Sequence, residues 1–451
     1  MSGVRVLKFG GTALRDGPAV RRAAEVVRRH GGEAPLVVVS AHAGVTQLLG
    51  RTAEAAAAGD LDAGALRVRH RSLLRQLDLP PELLDRHLAQ LQTVLRAVQA
   101  EGHLDRRRRD FVLSFGERMS ARVVAAGLRQ AGVPATPVDA FDLGLLSETR
   151  SGLTVPLEGA RERVREAVLA VPGVPVVTGF IALDAEGHVT TLGRSGSDLS
   201  AVWIGEAVGA EEVHLWKTVD GVFSADPSVV PSARRLERLD PRIAAELALH
   251  GAEVLHPAAL EPARRGGIPI LVRSVAEGAS PGTCIAEGDA GKAYALAHRR
   301  AVALVTHRVD LGRDPGEQMT RLHAACREAG LDPFLFAVPG AEAVLLLPDP
   351  EPGTSTALER VVGEGRVERG LASFALVGPA LGDDPAVVAE VVELCRGAGL
   401  TARSLPAGDG PLSRLFLTPS KELSSALRLV HDAFALRGGR DPGSIRRRRS
   451  G

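Results

Sequence analysis

The amino-acid sequence predicts an α/β domain built on a mainly parallel sheet between helices, followed by two small ferredoxin-like α+β modules. Three observations carry that prediction. Up to about residue 275, short β-rich apolar runs alternate with helical patterns, and near-continuous apolar strands are strands covered on both faces. The turn-rich segment Glu277-Gly278-Ala279-Ser280-Pro281-Gly282-Thr283 then interrupts the alternation. Beyond it the order strand, helix, strand, strand, helix occurs twice, over about 70 residues each time, which is the βαββα order of small α+β units. The expected division is a first domain over 1–288 and a paired module region over 294–451.

In the first part, strands are predicted over Val4–Phe9, Leu36–Ser40, Val174–Thr178, Glu212–Lys217 and Pro269–Arg273. Helices are predicted over Ala19–His30, Ser114–Ala131, Leu157–Ala170 and Ser197–Val208, and Thr52–Arg108 reads as an almost wholly helical insertion. Ligands of such a sheet sit beyond the carboxyl ends of its strands, so chemistry is sought in the segments that follow strands. In the second part, strand Ala301–Thr306 leads to helix Pro315–Ala329, strands Pro333–Val338 and Ala343–Leu347, and helix Ser355–Val362. The second pass runs through strand Ala372–Val377, helix Asp384–Gly397, strands Thr401–Leu405 and Ser413–Thr418, and helix Lys421–Ala435. Modules of this type are expected to pack sheet to sheet and to bind small effectors rather than carry chemistry.

Composition removes several classes of function. The 451 residues are 45% apolar and 24% charged, in the range of globular proteins, and aromatics at 3% leave an aliphatic core. A net charge of +1 provides no global field for nucleic acid or a membrane surface. The runs Arg106–Arg109 and Arg446–Arg449 read as a solvated helix face and a chain end. Cys284, Cys326 and Cys395 lie far apart, with neither metal-ligand spacing nor a disulfide framework, which fits a reduced, cytoplasmic protein. The start runs directly into the Val4-Arg5-Val6-Leu7 strand pattern, so no signal peptide is expected, and no apolar run has the length of a membrane span.

Four segments carry chemistry. Lys8-Phe9-Gly10-Gly11-Thr12 follows a strand and precedes a helix; its glycines let backbone N–H groups approach an anion, and its lysine adds a positive charge. Read alone, it is more often a plain structural turn, and neither a Walker pattern nor protein-kinase loops are present. Ser114-Phe115-Gly116-Glu117-Arg118-Met119-Ser120 places Glu117 at an expected helix start, either as a first-turn carboxylate or as a ligand for an ammonium group. Thr190 to Asp198 brackets Arg194 between Gly193 and Gly196 and opens a helix at Ser197 and Asp198, offering a guanidinium and free N–H groups to a carboxylate or phosphate. Trp216-Lys217-Thr218-Val219-Asp220-Gly221-Val222-Phe223-Ser224-Ala225-Asp226-Pro227 is a strand followed by a turn-rich loop.

In this order the four segments resemble the aspartate kinases of the amino-acid kinase family. Ser40-Ala41-His42-Ala43-Gly44-Val45-Thr46, Val177-Thr178-Gly179-Phe180 and Gly251-Ala252-Glu253-Val254-Leu255-His256-Pro257 extend the resemblance over about residues 4–285, and the C-terminal layout is similar to the paired ACT modules of the same enzymes. The resemblance implies an amino-acid kinase fold that transfers phosphate from ATP, with Mg²⁺, to the side chain of L-aspartate, as the first step of lysine, threonine and methionine biosynthesis. It implies that Lys8 contacts the transferred phosphate, that Gly10, Gly11 and Thr12 form the phosphate loop, and that Asp198 stands at the reaction centre. Ser40, Thr46, Glu117, Phe180, Arg194 and Ser197 would surround the amino acid, and Lys217, Thr218, Asp220, Phe223 and Asp226 the nucleotide. It further implies a homodimer through the ACT region; no homoserine dehydrogenase segment is expected to follow.

The sequence also departs from the commonest family pattern. Ala13 stands where serine is usual, Thr218 where aspartate is usual, Glu253 where many members have lysine, and Ser228 where arginine is frequent. These positions keep open an alternative, a catalytically weak or inactive homologue that acts by binding. A kinase for glutamate or acetylglutamate is disfavoured by the Gly116-Glu117-Arg118 and Gly193–Asp198 segments. In the first module, Phe334 to Gly340 offers none of the hydroxyl and acidic side chains of lysine-sensitive relatives, so lysine is expected to inhibit weakly or not at all.

Overall fold

The computed structural model describes residues 3–150, 153–193, 195–252, 255–276, 281–288, 294–310, 312, 314–328, 331, 333–338, 341–349, 365–379, 381 and 386–434. The chain divides into two compact units, Met1–Val222 with Leu255–Glu287, and Phe223–Val254 with Gly288–Gly451. Arg194, Glu253, the predicted helix Ser355–Val362, and Pro339 and Gly340 lie outside the described residues.

Seven strands form the sheet of the first unit: β1 Val4–Phe9, β2 Ala34–Val39, β3 Ala135–Val138, β4 Val174–Thr178, β5 Glu212–Lys217, β6 Ile270–Ser274 and β7 Thr283–Ile285. They run in the order β7-β6-β5-β1-β2-β4-β3, all parallel except β7 against β6. The sheet is thus α/β and mainly parallel, as expected. β1 lies between β2 and β5, where the strand order reverses, and this is the topological switch at which sheets of this kind bind ligands.

Helices α1 Gly17–His30, α2 Val45–Ala57, α3 Gly64–Gln76, α4 Asp85–Glu101, α5 Arg106–Gln130, α6 Arg161–Leu169 and α7 Gly196–Val208 complete the main framework. The side chains of β1 alternate between faces. Leu7 and Phe9 join Val37 and Val39 in a core shared with Val20, Ala23 and Val27 of α1 and Val124 and Leu128 of α5. Val6 faces α7, where a Cβ on Gly205 would lie 2.9 Å from Val213 and 3.5 Å from Val6. That glycine lets α7 approach the sheet closely.

One sequence reading needs correction here. The helix expected to start at Ser114 starts at Arg106, capped by Asp105, which accepts a hydrogen bond from the Arg108 N–H at 2.8 Å. Its arginine-rich first turn, read separately as a solvated helix face, lacks the apolar periodicity that marks the helix from Ser114 onward. Glu117 therefore sits mid-helix, not in a first turn. The insertion Thr52–Arg108 is almost wholly helical, as expected, and consists of α3 and α4 with the flanking ends of α2 and α5.

The second unit carries a six-stranded antiparallel sheet: β8 Ala295–Arg308, β9 Leu335–Ala337, β10 Glu342–Pro348, β11 Arg366–Val377, β12 Arg403–Ser404 and β13 Ser413–Pro419. Its order is β9-β10-β8-β11-β13-β12. The two predicted modules do not pack sheet to sheet: β8 pairs with β11, and this pairing fuses them edge to edge into one sheet. Pro315–Glu328 packs its Leu322 and Cys326 on one half, and Ala386–Gly397 and Leu423–Phe434 cover the other around Phe374 and Phe416.

Candidate active site

Strand alternation that puts Val6 against α7 also puts Lys8 there, two residues on. On β5, Val213 and Leu215 pair with Val6 and Lys8, so Lys217 continues the same face. On α7, Asp198 precedes Gly205 by two helical turns and shares its sheet-facing side. The result is a triad around a buried carboxylate: Lys8 Nζ lies 2.6 Å from Asp198 Oδ1, and the half-buried Lys217 places its Nζ 3.3 Å from Asp198 Oδ2. Burial opposes charge on Asp198, yet Lys217 and Lys8 hold its carboxyl below the usual carboxylate range. Burial pushes the Lys8 ammonium below its usual value, with Asp198 opposing and Lys217 assisting the shift. Two ammonium groups on one carboxylate leave a local positive excess at the switch point, suited to a phosphate-bearing ligand.

The loop after β1 lies beside this triad. Gly10 N–H donates to the Trp216 carbonyl at 3.2 Å, and a Cβ on Gly11 would lie 2.7 Å from the Ala41 carbonyl oxygen. Thr12 is exposed within the short 3₁₀ turn Gly11–Leu14. After β2, Ser40 N–H donates to the Phe9 carbonyl at 3.1 Å, and Thr46 lies in the first turn of α2.

Glu117 is the second buried ionisable group of the region. Its Oε1 accepts from the Ala41 N–H at 2.9 Å, whereas Oε2 is buried without a partner. Burial raises its carboxyl to about 8, and the Ala41 N–H and Lys8 only partly oppose the shift. An unpaired, buried carboxyl oxygen is costly unless a cation meets it.

After β4, Phe180 adopts a left-handed backbone at φ 69°, held by its N–H donating to Ser200 Oγ at 3.0 Å and by its carbonyl accepting from the Leu192 N–H at 2.8 Å. Gly179 precedes it because a Cβ there would lie 2.7 Å from Ser197 Cβ. Ser195, also left-handed at φ 58°, precedes α7, whose first turn buries Ser197 and Asp198. Strained backbone at both positions fits a loop shaped for ligand rather than for stability.

The structure thus brings together Lys8, Asp198 and Lys217, and places Gly10, Gly11, Ser40, Thr46, Glu117, Phe180 and Ser197 on the segments that follow β1, β2 and β4 or on α5 and α7. Lys217, expected on the nucleotide side, pairs with Asp198. Thr218 is exposed and Asp220 half-buried beyond β5. Phe223 and Asp226 belong to the second unit, where Asp226 accepts from Ser228 N–H and Oγ–H at 2.9 and 2.6 Å. Sequence reasoning assigned no role to His256. It is half-buried, its Nδ1 accepts from the Ala258 N–H at 3.1 Å, and burial holds its pKa down against the attraction of Asp198. The signal was available in the Leu255-His256-Pro257 segment. Asp198, whose oxygens lie 2.6 and 3.3 Å from Lys8 and Lys217, is the carboxylate of this group that could help to hold a nucleotide-bound Mg²⁺. Among the described residues, the geometric cluster of three metal-ligand types is Asp184, Glu186 and His188 in the Ile181–Thr191 hairpin.

Residues 3–274 match the amino acid kinase family, and the chain belongs to that family. Its curated relatives include Aspartokinase 1, chloroplastic, of Arabidopsis thaliana, 34% identical over 292 residues, covering 62% of this chain and 51% of that one. Bifunctional aspartokinase/homoserine dehydrogenase 1, chloroplastic, of Zea mays is 28% identical over 470 residues, covering 96% of this chain and 50% of that one. The chain spans about half the length of the curated relatives it matches. Among solved structures, E. coli aspartokinase III in complex with aspartate and ADP (R-state) superposes with a TM-score of 0.78 at 28% identity, covering 95% of this chain and 99% of that one. The same enzyme in complex with lysine and aspartate (T-state) gives 0.74 at 28% identity, covering 96% and 99%.

Proposed function

We propose that this protein is an aspartate kinase, transferring the γ-phosphoryl group of ATP to the side-chain carboxylate of L-aspartate to give 4-phospho-L-aspartate and ADP. The observation that carries the reading is the Lys8–Asp198–Lys217 triad at the strand switch point, with the unpaired Glu117 Oε2 on α5. The likeness to an aspartokinase bound to aspartate and ADP supports the same reading.

The acceptor carboxylate, with a reference pKa of about 3.9, is ionised at neutral pH and needs no general base. One of its oxygens bonds to the γ-phosphorus as the bond to the bridging β,γ-oxygen breaks, and ADP leaves with that oxygen. The protein's work is to bring two anions together and to meet the charge that shifts onto the leaving group. Lys8 is the cation for the transferring group, with Gly10, Gly11 and Thr12 offering backbone approach. Lys217 keeps Asp198 ionised and positioned when Lys8 turns to phosphate. Asp198 would help to hold a nucleotide-bound Mg²⁺, which would supply neutralisation of phosphate charge. Glu117 Oε2 takes the ammonium of aspartate, Arg194 its α-carboxylate, and Ser40, Thr46, Phe180 and Ser197 shape the remainder. Lys217, Thr218, Asp220, Phe223 and Asp226 are assigned to the nucleotide side.

The further assignments are a catalytic region over 1–288, a tandem ACT-type regulatory and dimerisation region over 294–451, a cytoplasmic homodimer, and a place at the head of lysine and threonine biosynthesis. The test is formation of a hydroxylamine-trappable acyl phosphate from aspartate and Mg·ATP. Turnover with aspartate and none with glutamate is expected. Well-folded protein without turnover would instead favour the binding homologue, a reading that Ser228 motivates by occupying the Asp226 carboxylate.

A further inference from the structure

Asp110 is a buried carboxylate that the phosphoryl transfer does not use. It lies on α5 seven residues before Glu117, close to two helical turns, so the two carboxyls share one face of that helix. The residue is 6% exposed. Its Oδ1 accepts from the Thr191 Oγ–H at 2.8 Å, and the exposed Arg106 stands 3.8 Å from Oδ2. Burial pushes the Asp110 carboxyl above the usual carboxylate range, and the Thr191 hydroxyl and Arg106 oppose the shift. An arginine that exposed contributes little. Stability alone would be served at least as well by an apolar side chain at this position, so the carboxylate calls for another explanation.

Its partner supplies one. Thr191 ends the hairpin strand Val189–Thr191 and opens the loop that runs into α7. The next residue, Leu192, donates its N–H to the carbonyl of Phe180, the residue held left-handed after β4, at 2.8 Å. The far end of the loop is tied separately: Ser200 Oγ–H donates to the Gly196 carbonyl at 3.0 Å, and Ser200 Oγ accepts from the Phe180 N–H at 3.0 Å. Ser197 and Asp198 follow directly in the first turn of α7. The loop is thus fastened to α7 by Ser200 and to α5 by the Asp110–Thr191 hydrogen bond.

We infer that Asp110 is a positioning residue for the amino-acid site: through Thr191 it sets Phe180 and the start of α7 against the helix that carries Glu117. The inference rests on the aspartate kinase reading above, in which Glu117, Phe180 and Ser197 surround the amino acid. A small misplacement of such groups is enough to lose a productive substrate geometry. The nucleotide, assigned to the segments after β1 and β5, should feel the loss of this bond much less.

Thr191→Val removes the hydroxyl donor and keeps the branched shape, Thr191→Ser keeps the donor, and Asp110→Leu removes the acceptor. Aspartate KM should rise about tenfold or more in Thr191→Val and in Asp110→Leu, with ATP KM changing by less than about threefold, and Thr191→Ser should restore most of the loss. Combining Asp110→Leu with Thr191→Val should be no worse than the poorer single variant, because both remove the same hydrogen bond. Deuterium exchange supplies a readout that needs no turnover: the amides of Thr190, Thr191 and Leu192 should exchange about tenfold faster in both single variants, with those of Val174–Thr178 unchanged. If Asp110→Leu does not fold, Thr191→Val and Thr191→Ser carry both measurements. Well-folded wild-type protein without turnover would count against the kinase reading alone, and the exchange pattern would still decide whether Asp110 fastens the loop. An equal rise in both KM values, a Thr191→Ser variant as impaired as Thr191→Val, or faster exchange spread over the whole first unit would overturn the proposal and make the pair merely structural.

Discussion

The two units handle buried polarity differently. Lys8, Asp110, Glu117, Asp139 and Asp198 are buried, and all belong to the first unit. In the second, the buried polar residues among those described are Ser224, His250, Ser373, Ser413, Thr418 and His431, which are hydroxyls and imidazoles. Several of these are paired: Ser224 Oγ meets His431 Nε2 at 2.8 Å, and Ser413 Oγ–H donates to Glu246 at 2.7 Å. A buried charge costs several kcal/mol unless partners meet it, and its replacement by apolar groups is often neutral or stabilising. Its retention is explained by chemistry more readily than by stability. By that criterion the first unit is built around reacting charges, and the second is built to pack.

The contrast can be broken most directly at Lys8. Lys8→Ala should lower kcat about 10³-fold or more, with a much smaller change in the aspartate KM; a loss below about tenfold would make the lysine structural. The mirror experiment is in the second unit. Phe374 is fully buried and stacks on Phe416 with ring centroids 5.1 Å apart. Phe374→Ala should cost about 3 kcal/mol or more in chemical denaturation, with kcat of the folded fraction near wild type. A selective loss of kcat there would dissolve the distinction between the units.

A smaller, pH-dependent effect sharpens it. Glu117, raised to about 8 by burial, is protonated at neutral pH without substrate. Because its folded pKa exceeds the unfolded value, its contribution to stability is full below about pH 4.5 and is lost as pH rises towards 8. Its carboxylate must be ionised to hold an ammonium group, so the aspartate KM should fall between about pH 6.5 and 8.5. Glu117→Gln should raise KM by about tenfold to a hundredfold, flatten that pH profile, and remove the matching slope in stability. An unchanged profile would take Glu117 out of the substrate site.

The smallest expected effect is that of lysine. In the second unit, the Arg299 guanidinium sits 4.2 Å over the Phe334 ring, at the start of the stretch already noted as lacking acidic and hydroxyl side chains. A cation there adds to the cost of seating an ammonium effector. Lysine titrated into the activity assay should give no half-inhibition below about 1 mM; tighter inhibition would place an effector pocket elsewhere.

Much of this was readable in the chain itself. Val4–Phe9, Val174–Thr178 and Glu212–Lys217 were legible to the residue because each is a short β-rich run between turn signals. The beginnings of α5, β8 and β11 were not. Arg106–Arg109 and Arg366–Gly370 are polar stretches at element starts, and in β8 His298–Arg300 separates Ala295–Ala297 from the apolar run that follows; pairing or capping overrides periodicity there. At the site, residue types were visible but partnerships were not. Lys217 pairs with Asp198 because of sheet register, and the Ala41 N–H reaches Glu117 across separate elements. Neither contact leaves a trace in local pattern.

The pairing of β8 with β11 has a consequence for how the second unit opens. Those strands form the middle of the sheet, and each also pairs outwards, with β10 and β13 respectively. Neither repeat can fray completely without stripping ladder bonds from the other, so the duplicated segments should act as one cooperative foldon. In native-state deuterium exchange, amides along Leu371–Val377, hydrogen-bonded on both sides, should be among the last to label and should do so together with those of Val302–Thr306. Two halves that arose as copies of one pattern would thus have lost the ability to melt apart.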